Sequence, residues 1–455
     1  MSTPSGSPSP TLRARRSGPL RGTCRVPGDK SVSHRALLFG ALCDGTVEVR
    51  GLGEGGDNKS TARALQALGV DIQIAPTGTE AIVRGVGFAG LRAATSALDC
   101  GNSGTTIRMM TGLLAGRPFE TTLEGDASLT KRPMRRLAEP LRKMGATIDG
   151  RVDPARPNDV FPPLRVRGGS LRGLTYDLPV ASAQLKSALV LAGLQAEGRT
   201  VLREPATSRD HTERMLRNLG APITADATTN TIVVDPTGWG GRLRAAPITV
   251  PGDLSSATFL LVAALTVEGS DVVVENVGLN PTRTGALDVL AAMGAELVVE
   301  PTGEAMGEPV GRVRARARRL RGTHVGGTLA LRAIDEIPAL AVAAALAEGE
   351  TVFSDLEELR IKESDRIAAI ARELGRAGVR VEERKDGLLV EGLAGRAGVH
   401  VRGGVVLPEH DHRIAMAGAV MGLSSPDETT TPADDIATSF PTFADTLRAL
   451  GAALD

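Results

Sequence analysis

Two patterns of apolar and polar residues recur along the chain. The first opens with a turn and a few small hydroxyl or acidic residues, then runs into an Ala/Leu-rich stretch. It is clearest at residues 26–42 (VPGDKSVSHRALLFGAL) and 250–265 (VPGDLSSATFLLVAAL). Looser relatives begin at Asp99 (DCGNSGTTIRMM), Pro179 (PVASAQLKSALVLAGL), Ala333 (AIDEIPALAVAAAL) and Pro408 (PEHDHRIAMAGAVMGL). The second pattern closes an amphipathic segment with an apolar residue and a glycine: Leu68-Gly69, Met144-Gly145, Leu219-Gly220, Met293-Gly294, Ala377-Gly378 and Leu450-Gly451, the glycines 73 to 84 residues apart. Glycine just after the last periodic residue marks a helix C-terminus. Short alternating runs such as TVEVRG (46–51), DVVVENV (271–277) and VDIQIA (70–75) lie between and after these helices. The chain therefore reads as six alternating β/α units of about 75 residues, none able to bury both helix faces alone. The two VPGD motifs stand 224 residues apart, about three units, which predicts two domains of three units with a crossing near residues 247–251. Residues 1–10 are rich in Ser, Pro and Thr and predict a disordered tail.

Composition narrows the function classes. Of 455 residues, 53 are basic and 53 acidic, so no net field draws the protein to nucleic acid or an anionic membrane. Only ten are aromatic, too few for a base-stacking platform. The longest apolar run, residues 339–347, is far short of the roughly 20 residues that span a bilayer. The three cysteines form no CxxC pair, no apolar leader follows the first residues, and the expected compartment is the cytoplasm.

The first pattern places Asp, Ser, Thr, Asn or Gly at helix openings, where unpaired N–H groups and the helix dipole favour anions. Any single motif is adequately read as an N-cap. Six copies that also carry Lys, Arg, Gln, Asp and His point to an anion-binding cleft. Lysine usage sharpens the point: there are 7 Lys against 46 Arg, and Lys30, Lys186 and Lys362 all fall inside polar motifs, beside Ser31, Gln184 and Glu363.

Five segments together resemble the 5-enolpyruvylshikimate-3-phosphate synthases, a branch of the enolpyruvyl transferases. They are Asp29-Lys30-Ser31-Val32-Ser33-His34-Arg35, Gly101-Asn102-Ser103-Gly104-Thr105-Thr106-Ile107-Arg108, Lys131-Arg132-Pro133-Met134, Arg360-Ile361-Lys362-Glu363-Ser364-Asp365-Arg366 and Asp411-His412-Arg413. The resemblance covers nearly the whole chain after the tail. It implies an α/β fold, a two-domain inside-out α/β barrel of six βαβαββ repeats, three per domain, with an active-site cleft between the domains. The implied division is a tail at 1–11, a discontinuous domain at 12–27 plus 248–455, and an inserted domain at 28–247. The implied reaction moves the enolpyruvyl group of phosphoenolpyruvate onto the 5-hydroxyl of shikimate 3-phosphate. No metal or organic cofactor is implied, and the expected enzyme is a monomer whose partners are these two small molecules, with no nucleic acid and no membrane.

By the same resemblance, shikimate 3-phosphate is held by Lys30, Ser31, Arg35, Ser182, Ala183, Gln184, Arg209, Asp335 and Lys362. Phosphoenolpyruvate is held by Lys30, Gly104, Arg132, Gln184, Arg366 and Arg413, arginine being suited to both substrates because its planar fork pairs bidentately with carboxylate and phosphate. The catalytic groups are Asp335, which takes the hydroxyl proton, Glu363, which protonates the methylene, and Lys30. Read alone, Asp335 is equally a cap on the helix it precedes, and Glu363 with Arg366 equally an i,i+3 helix pair.

The sequence departs from the family pattern in places. Ser439 precedes Phe440-Pro441 where many members carry lysine, and Ala183 replaces a second serine. Ser182-Ala183-Gln184-Leu185-Lys186, Arg209-Asp210-His211-Thr212-Glu213 and Asn280-Pro281-Thr282-Arg283 resemble the branch called class II, known for reduced glyphosate sensitivity. Gly104 nevertheless keeps the glycine that leaves glyphosate room. Two rival readings stand. The sister enzyme acting on UDP-N-acetylglucosamine needs a loop cysteine, and residues 116–132 contain none. Nucleic-acid binding through Arg312, Arg314, Arg316, Arg318, Arg319 and Arg321 competes with a plain strand carrying one solvated face.

Overall fold

The computed structural model describes residues 10–455. The chain divides into two compact units. The inserted unit is Gly28–Pro251 with Glu304–Glu308, and the split unit is the chain up to Pro27 with Gly252–Gly303 and Pro309–Asp455. The crossing falls at Pro251 rather than at residue 247, because Ile248–Thr249 pairs in parallel with Val49 and Arg50 of the inserted unit. Thr11, assigned above to the tail, instead opens the strand Thr11–Ala14, which pairs antiparallel with Thr429–Pro432. The rest of the predicted tail, residues 1–9, lies outside the described residues.

In the inserted unit three sheets share one strand order. The sheet Leu98–Asp99, Glu120–Glu124, Arg156–Arg167, Thr147–Asp153 starts with a parallel pair and continues antiparallel. The sheet Thr175–Asp177, Thr200–Arg203, Thr231–Val234, Ile223–Asp226 repeats that order. Cys43–Arg50, Glu80–Val86 and Asp71–Ile74 do so as well, with the parallel partner supplied by Leu243–Arg244 and Ile248–Thr249 from the far end of the unit. The split unit uses the same device: Arg21–Arg25 runs parallel to Asp271–Gly278, across about 250 residues of chain. Its second sheet, His324–Val325, Glu350–Phe353, Gly387–Glu391, Arg380–Arg384, has the same order again, and its third is three-stranded. Among the described residues no helix is long and apolar enough to cross a membrane.

Apolar helices fill each unit. Every residue of Ile337–Ala345 and of His412–Gly422 is buried, as are all but one of Leu254–Thr266. Alanine and glycine allow close packing: a Cβ at Gly112 would lie 2.3 Å from the Ala188 carbonyl oxygen of the neighbouring helix Ala183–Gly193. Helix ends follow the sequence signals. The closing glycines Gly69, Gly145, Gly220, Gly294, Gly378 and Gly451 all have positive φ. Five of the six opening motifs supply a side-chain N-cap, from Asp29, Ser103, Ser182, Asp253 and Asp411. The sixth does not, since Ile337–Ala345 begins without a side-chain cap.

Two buried polar systems lock the inserted unit. Lys186 is not presented to solvent or to an open surface. Its ammonium donates to Glu204 Oε2 at 2.8 Å and pairs with Glu213 Oε1 at 2.7 Å, all three side chains being at most 2% exposed. Burial opposes its charge, but Glu213 and Glu204 outweigh burial and hold the ammonium above its usual range. In the second system, His34 Nδ1 lies 2.7 Å from Thr61 Oγ1, Thr61 Oγ1 lies 2.7 Å from Thr106 Oγ1, and Thr106 Oγ1 donates to Ser103 Oγ at 2.8 Å. This chain ties the helix Lys30–Leu42 to the cap of the helix Gly104–Leu114. Burial pushes His34 down to about 3, so the ring is neutral in the native state.

Removing one member of a buried ion cluster strands the others. Lys186→Met is expected to cost about 3–5 kcal/mol, with part recovered by adding Glu204→Gln; urea unfolding of the three proteins tests this, and an unchanged midpoint for Lys186→Met would refute it. His34 gives a pH signature. Its depressed native pKa means that the unfolded chain binds the extra proton, so its contribution to stability is full above about 6.5 and drains away as pH falls toward 3. Replacing His34 with Gln is expected to flatten that acid-side slope in unfolding free energies measured across the same window.

Candidate active site

In the inserted unit, Lys30 is the first residue of the helix Lys30–Leu42, and its Nζ lies 3.1 Å from Asp57 Oδ2. Arg35 follows one turn later and is buried. Its Nε donates to Thr212 Oγ1 at 2.7 Å, Nη2 to Ser187 Oγ at 2.8 Å and Nη1 to the Ser31 carbonyl at 2.9 Å. Burial lowers the Arg35 guanidinium to about 10, against the pull of Glu213 and Asp29. Arg209, on the loop between Thr200–Arg203 and His211–Asn218, bears on Arg35 as a second positive charge. Lys30 and Arg35 come from one helix and Arg209 from a separate loop; the two acceptors of Arg35, Thr212 Oγ1 and Ser187 Oγ, are themselves 2.6 Å apart.

A second cluster of the same unit gathers at the N-termini of two helices. Ser182 caps Ala183–Gly193, its Oγ accepting from Leu185 N. Gln184 donates to Thr105 Oγ1 at 2.9 Å and accepts from Arg108 Nη1 at 2.8 Å. Arg108 also donates to the Gly104 carbonyl at 3.0 Å, so one guanidinium ties Gln184 to Gly104. Arg132 donates to Asn102 Oδ1 at 2.5 Å, and a Cβ on Gly104 would lie 2.5 Å from Arg108 Nη1 and 3.0 Å from Arg132 Nη1. Gly104 therefore sits between two guanidinium groups, which a methyl group would push aside. Ala183, in the first turn of its helix, contributes backbone only.

The split unit carries the remaining predicted residues in one network around Arg366. This guanidinium is buried and donates Nε to Asp411 Oδ2 at 2.7 Å, Nη2 to Glu363 Oε2 at 2.9 Å and Nη1 to Asp335 Oδ1 at 3.4 Å. Burial works against its charge, but Asp411 and Glu363 prevail and hold it above the usual arginine range. Asp411 in turn is kept below the usual carboxylate range by Arg366, against the opposing effect of burial. Lys362 Nζ lies 3.7 Å from Asp335 Oδ1, and Arg413 Nη1 donates to the Asp335 carbonyl at 2.8 Å. Both bland readings of this motif change. Asp335 lies two residues before Ile337–Ala345, whose start has no side-chain cap, and its carboxylate faces Arg366, Lys362 and Arg283. Glu363 precedes the helix Arg366–Arg376, whose cap is Asp365, so its bond to Arg366 is not a pair along a helix face.

Several members of these clusters were not assigned from sequence. Asp57 partners Lys30 from a helix with no distinctive motif. Arg108 ends the Gly101–Arg108 motif and stands one turn after Gly104, a spacing that would have placed it beside the glycine. Asp411 lies in a quoted motif, and its double role as cap and as partner of Arg366 is visible only in three dimensions. Ser439 has a buried hydroxyl without a hydrogen-bond partner among the described residues. Within the arginine-rich stretch, Arg312 pairs with Glu300, and Arg314 and Arg316 pair with Asp271. These arginines are spent on neighbouring strands.

Comparison with known proteins agrees with the motifs. A profile of the EPSP synthase (3-phosphoshikimate 1-carboxyvinyltransferase) family matches residues 14–447. A 3-phosphoshikimate 1-carboxyvinyltransferase of Synechococcus sp. (strain JA-3-3Ab) is 50% identical over 436 residues, covering 95% of this chain and 94% of the relative. One from Halorhodospira halophila (strain DSM 244 / SL1) is 49% identical with the same coverage. The fold is a mixed α/β structure that matches a solved EPSP synthase from Acinetobacter baumannii with a TM-score of 0.85 and 44% identity, covering 98% of this chain and 99% of that one. With the charged motifs in family order and the similarity running through both units, the chain belongs to the EPSP synthase (3-phosphoshikimate 1-carboxyvinyltransferase) family.

Proposed function

We propose that this protein transfers the enolpyruvyl group of phosphoenolpyruvate to the 5-hydroxyl of shikimate 3-phosphate, releasing phosphate, with Asp335 as the base and Glu363 as the acid. The observation that carries the residue assignment is that both carboxylates are bonded to one arginine, Arg366, at 3.4 and 2.9 Å. The reaction needs this pairing. As the 5-oxygen bonds to C2 of phosphoenolpyruvate it loses a proton, while the C3 methylene gains one. Loss of phosphate from C2 and of a proton from C3 then restores the double bond.

Glu363 is bonded to the Arg366 guanidinium, an interaction that favours a carboxylate over the acid form. An anionic substrate competing for Arg366 removes that constraint, so the acid becomes able to carry a proton when phosphoenolpyruvate arrives. In this reading Arg366 and Arg413, with Arg132, Gly104, Gln184 and Lys30, receive phosphoenolpyruvate. Lys30, Ser31, Ser182, Ala183, Gln184, Arg209, Asp335 and Lys362 receive shikimate 3-phosphate, with Arg35 bonded behind Ser31. Lys30 serves both substrates and the proton transfers. The shared strand order of the sheets supports the reading of six βαβαββ repeats, three per domain.

Asp335→Ala or Glu363→Gln is expected to lower kcat by roughly 10²–10⁴-fold, while calorimetry shows shikimate 3-phosphate still binding Glu363→Gln. Near-normal turnover in either variant would remove that residue from its role. Inhibition tests the Gly104 environment. Glyphosate, with its phosphonate and carboxylate, is expected to compete with phosphoenolpyruvate for the arginines. Gly104→Ala displaces Arg108 and Arg132 and is expected to raise the inhibition constant more than the phosphoenolpyruvate KM, since overpacking costs about 1–3 kcal/mol and the longer ligand tolerates it less. Equal rises in both constants would mean that Gly104 does not discriminate.

A further inference from the structure

Behind Asp335, on the side away from Lys362, lies a second buried arginine. Arg283 follows the Asn280-Pro281-Thr282 turn and is 3% exposed. Its Nη2 donates to Asp253 Oδ1 at 3.0 Å and to Ser255 Oγ at 2.9 Å, both at the start of the helix Leu254–Thr266. Its Nη1 lies 3.6 Å from Glu336 Oε1 and 3.9 Å from Asp335 Oδ2. Glu336 is fully buried, donates nothing in its charged form, accepts from Ser255 Oγ, and has a second oxygen with no hydrogen-bond partner among the described residues. Three carboxylates from two segments thus converge on one guanidinium.

We infer that Arg283 is a positioning residue for the reaction: it keeps Asp335 ionised and turned so that one oxygen faces the reacting groups. The geometry divides the Asp335 carboxylate cleanly. Oδ2 faces Arg283, and Oδ1 faces Arg366 and Lys362. The Oδ1 partners are the cations assigned to substrate anions, so their attraction for Asp335 weakens when those anions bind. Arg283 is held from within the unit by Asp253, Ser255 and Glu336, none of them assigned to a substrate, and in this reading its pull on Asp335 persists through substrate binding. Without it, Asp335 would share a low-dielectric site with Asp253 and Glu336, and like charges so close cannot all stay ionised. A proton taken up there would leave Asp335 unable to accept one from the 5-hydroxyl. Glu336 acts in the opposite sense, repelling the charge on its neighbour and competing for Arg283. The charged groups around Asp335 are therefore Arg283 before the helix Gly285–Ala292, Asp253 at the start of Leu254–Thr266, and Glu336 beside it. From the other side come Lys362, Glu363, Arg366 and Arg413, with Asp411 behind Arg366.

The inference rests on the reading of Asp335 as the base, and the experiment separates the two. kcat at saturating substrates is measured across pH for the wild type, Arg283→Met, Arg283→Lys and Glu336→Gln, with Asp335→Asn as the control. The acid limb of Arg283→Met is expected to move up by about one to two pH units, with turnover recovering above it. Arg283→Lys keeps a charge and is expected to hold the limb near its wild-type position, while Glu336→Gln moves it down. A folded Arg283→Met with an unshifted limb, or with a loss equal at every pH, overturns the inference, since that is what a merely structural arginine would give. Should Arg283→Met fail to fold, a Glu336→Gln limb that stays put or moves up overturns it instead. If Asp335→Asn retains turnover, the base assignment itself has failed and the inference falls with it; if turnover is lost there and the limbs do not move, only the role of Arg283 is wrong.

Discussion

A carboxylate at the start of an apolar helix, with a buried arginine on its other lone pairs, is the interaction on which the split unit depends. Asp411 accepts from Arg413 N with Oδ1 and from Arg366 Nε with Oδ2. Asp253 accepts from Ser255 N and from Arg283 Nη2. In each case one residue satisfies the helix N-terminus, which favours negative charge, and neutralises a guanidinium that could not otherwise be buried. The helices themselves are almost entirely apolar and have no polar face on which to anchor charges. Charged groups therefore gather at their first turns, and residues that cap the fold also orient its cations.

The inserted unit reaches the same end with weaker acceptors. Its caps at Ser103 and Ser182 are hydroxyls, and Arg35 is held by Thr212, Ser187 and a carbonyl instead of a carboxylate. Neutral acceptors orient a guanidinium without cancelling its charge. Arg35 thus keeps more of its positive field, whereas in the split unit Arg366 and Arg283 are already matched by acids. An anion binding to Arg366 must displace Glu363 or share the cation with it.

Much of this was legible in the sequence because it is local. The six opening motifs and six closing glycines mark helix ends, and helix ends depend on a few neighbouring residues. Five caps and six left-handed glycines lie where the pattern put them. What was not legible depends on residues far apart in the chain. The residue range of the tail was overstated because the partner of Thr11–Ala14 is Thr429–Pro432. The crossing lies at the end of the predicted range 247–251, past the boundary at 247 that the resemblance implied, because Ile248–Thr249 pairs with residues 49 and 50. Lys186 stood out by composition and its motif suggested a site, yet its partners Glu204 and Glu213 carry no motif, and together they form an internal ion cluster.

The exception among the caps bears on the role proposed for Asp335. In the other units the polar residue that begins the helix is committed to backbone N–H groups, and a committed carboxylate is a poor base because those bonds stabilise its charged form. The helix Ile337–Ala345 has Pro338 in its first turn, which removes one N–H that would need a cap. Glu336, immediately before it, bonds to Ser255 rather than to the helix. The Asp335 carboxylate instead meets Arg283 through Oδ2 and Arg366 and Lys362 through Oδ1. The strength with which those cations hold Asp335 is a quantity that anionic ligands can change and that a backbone cap could not.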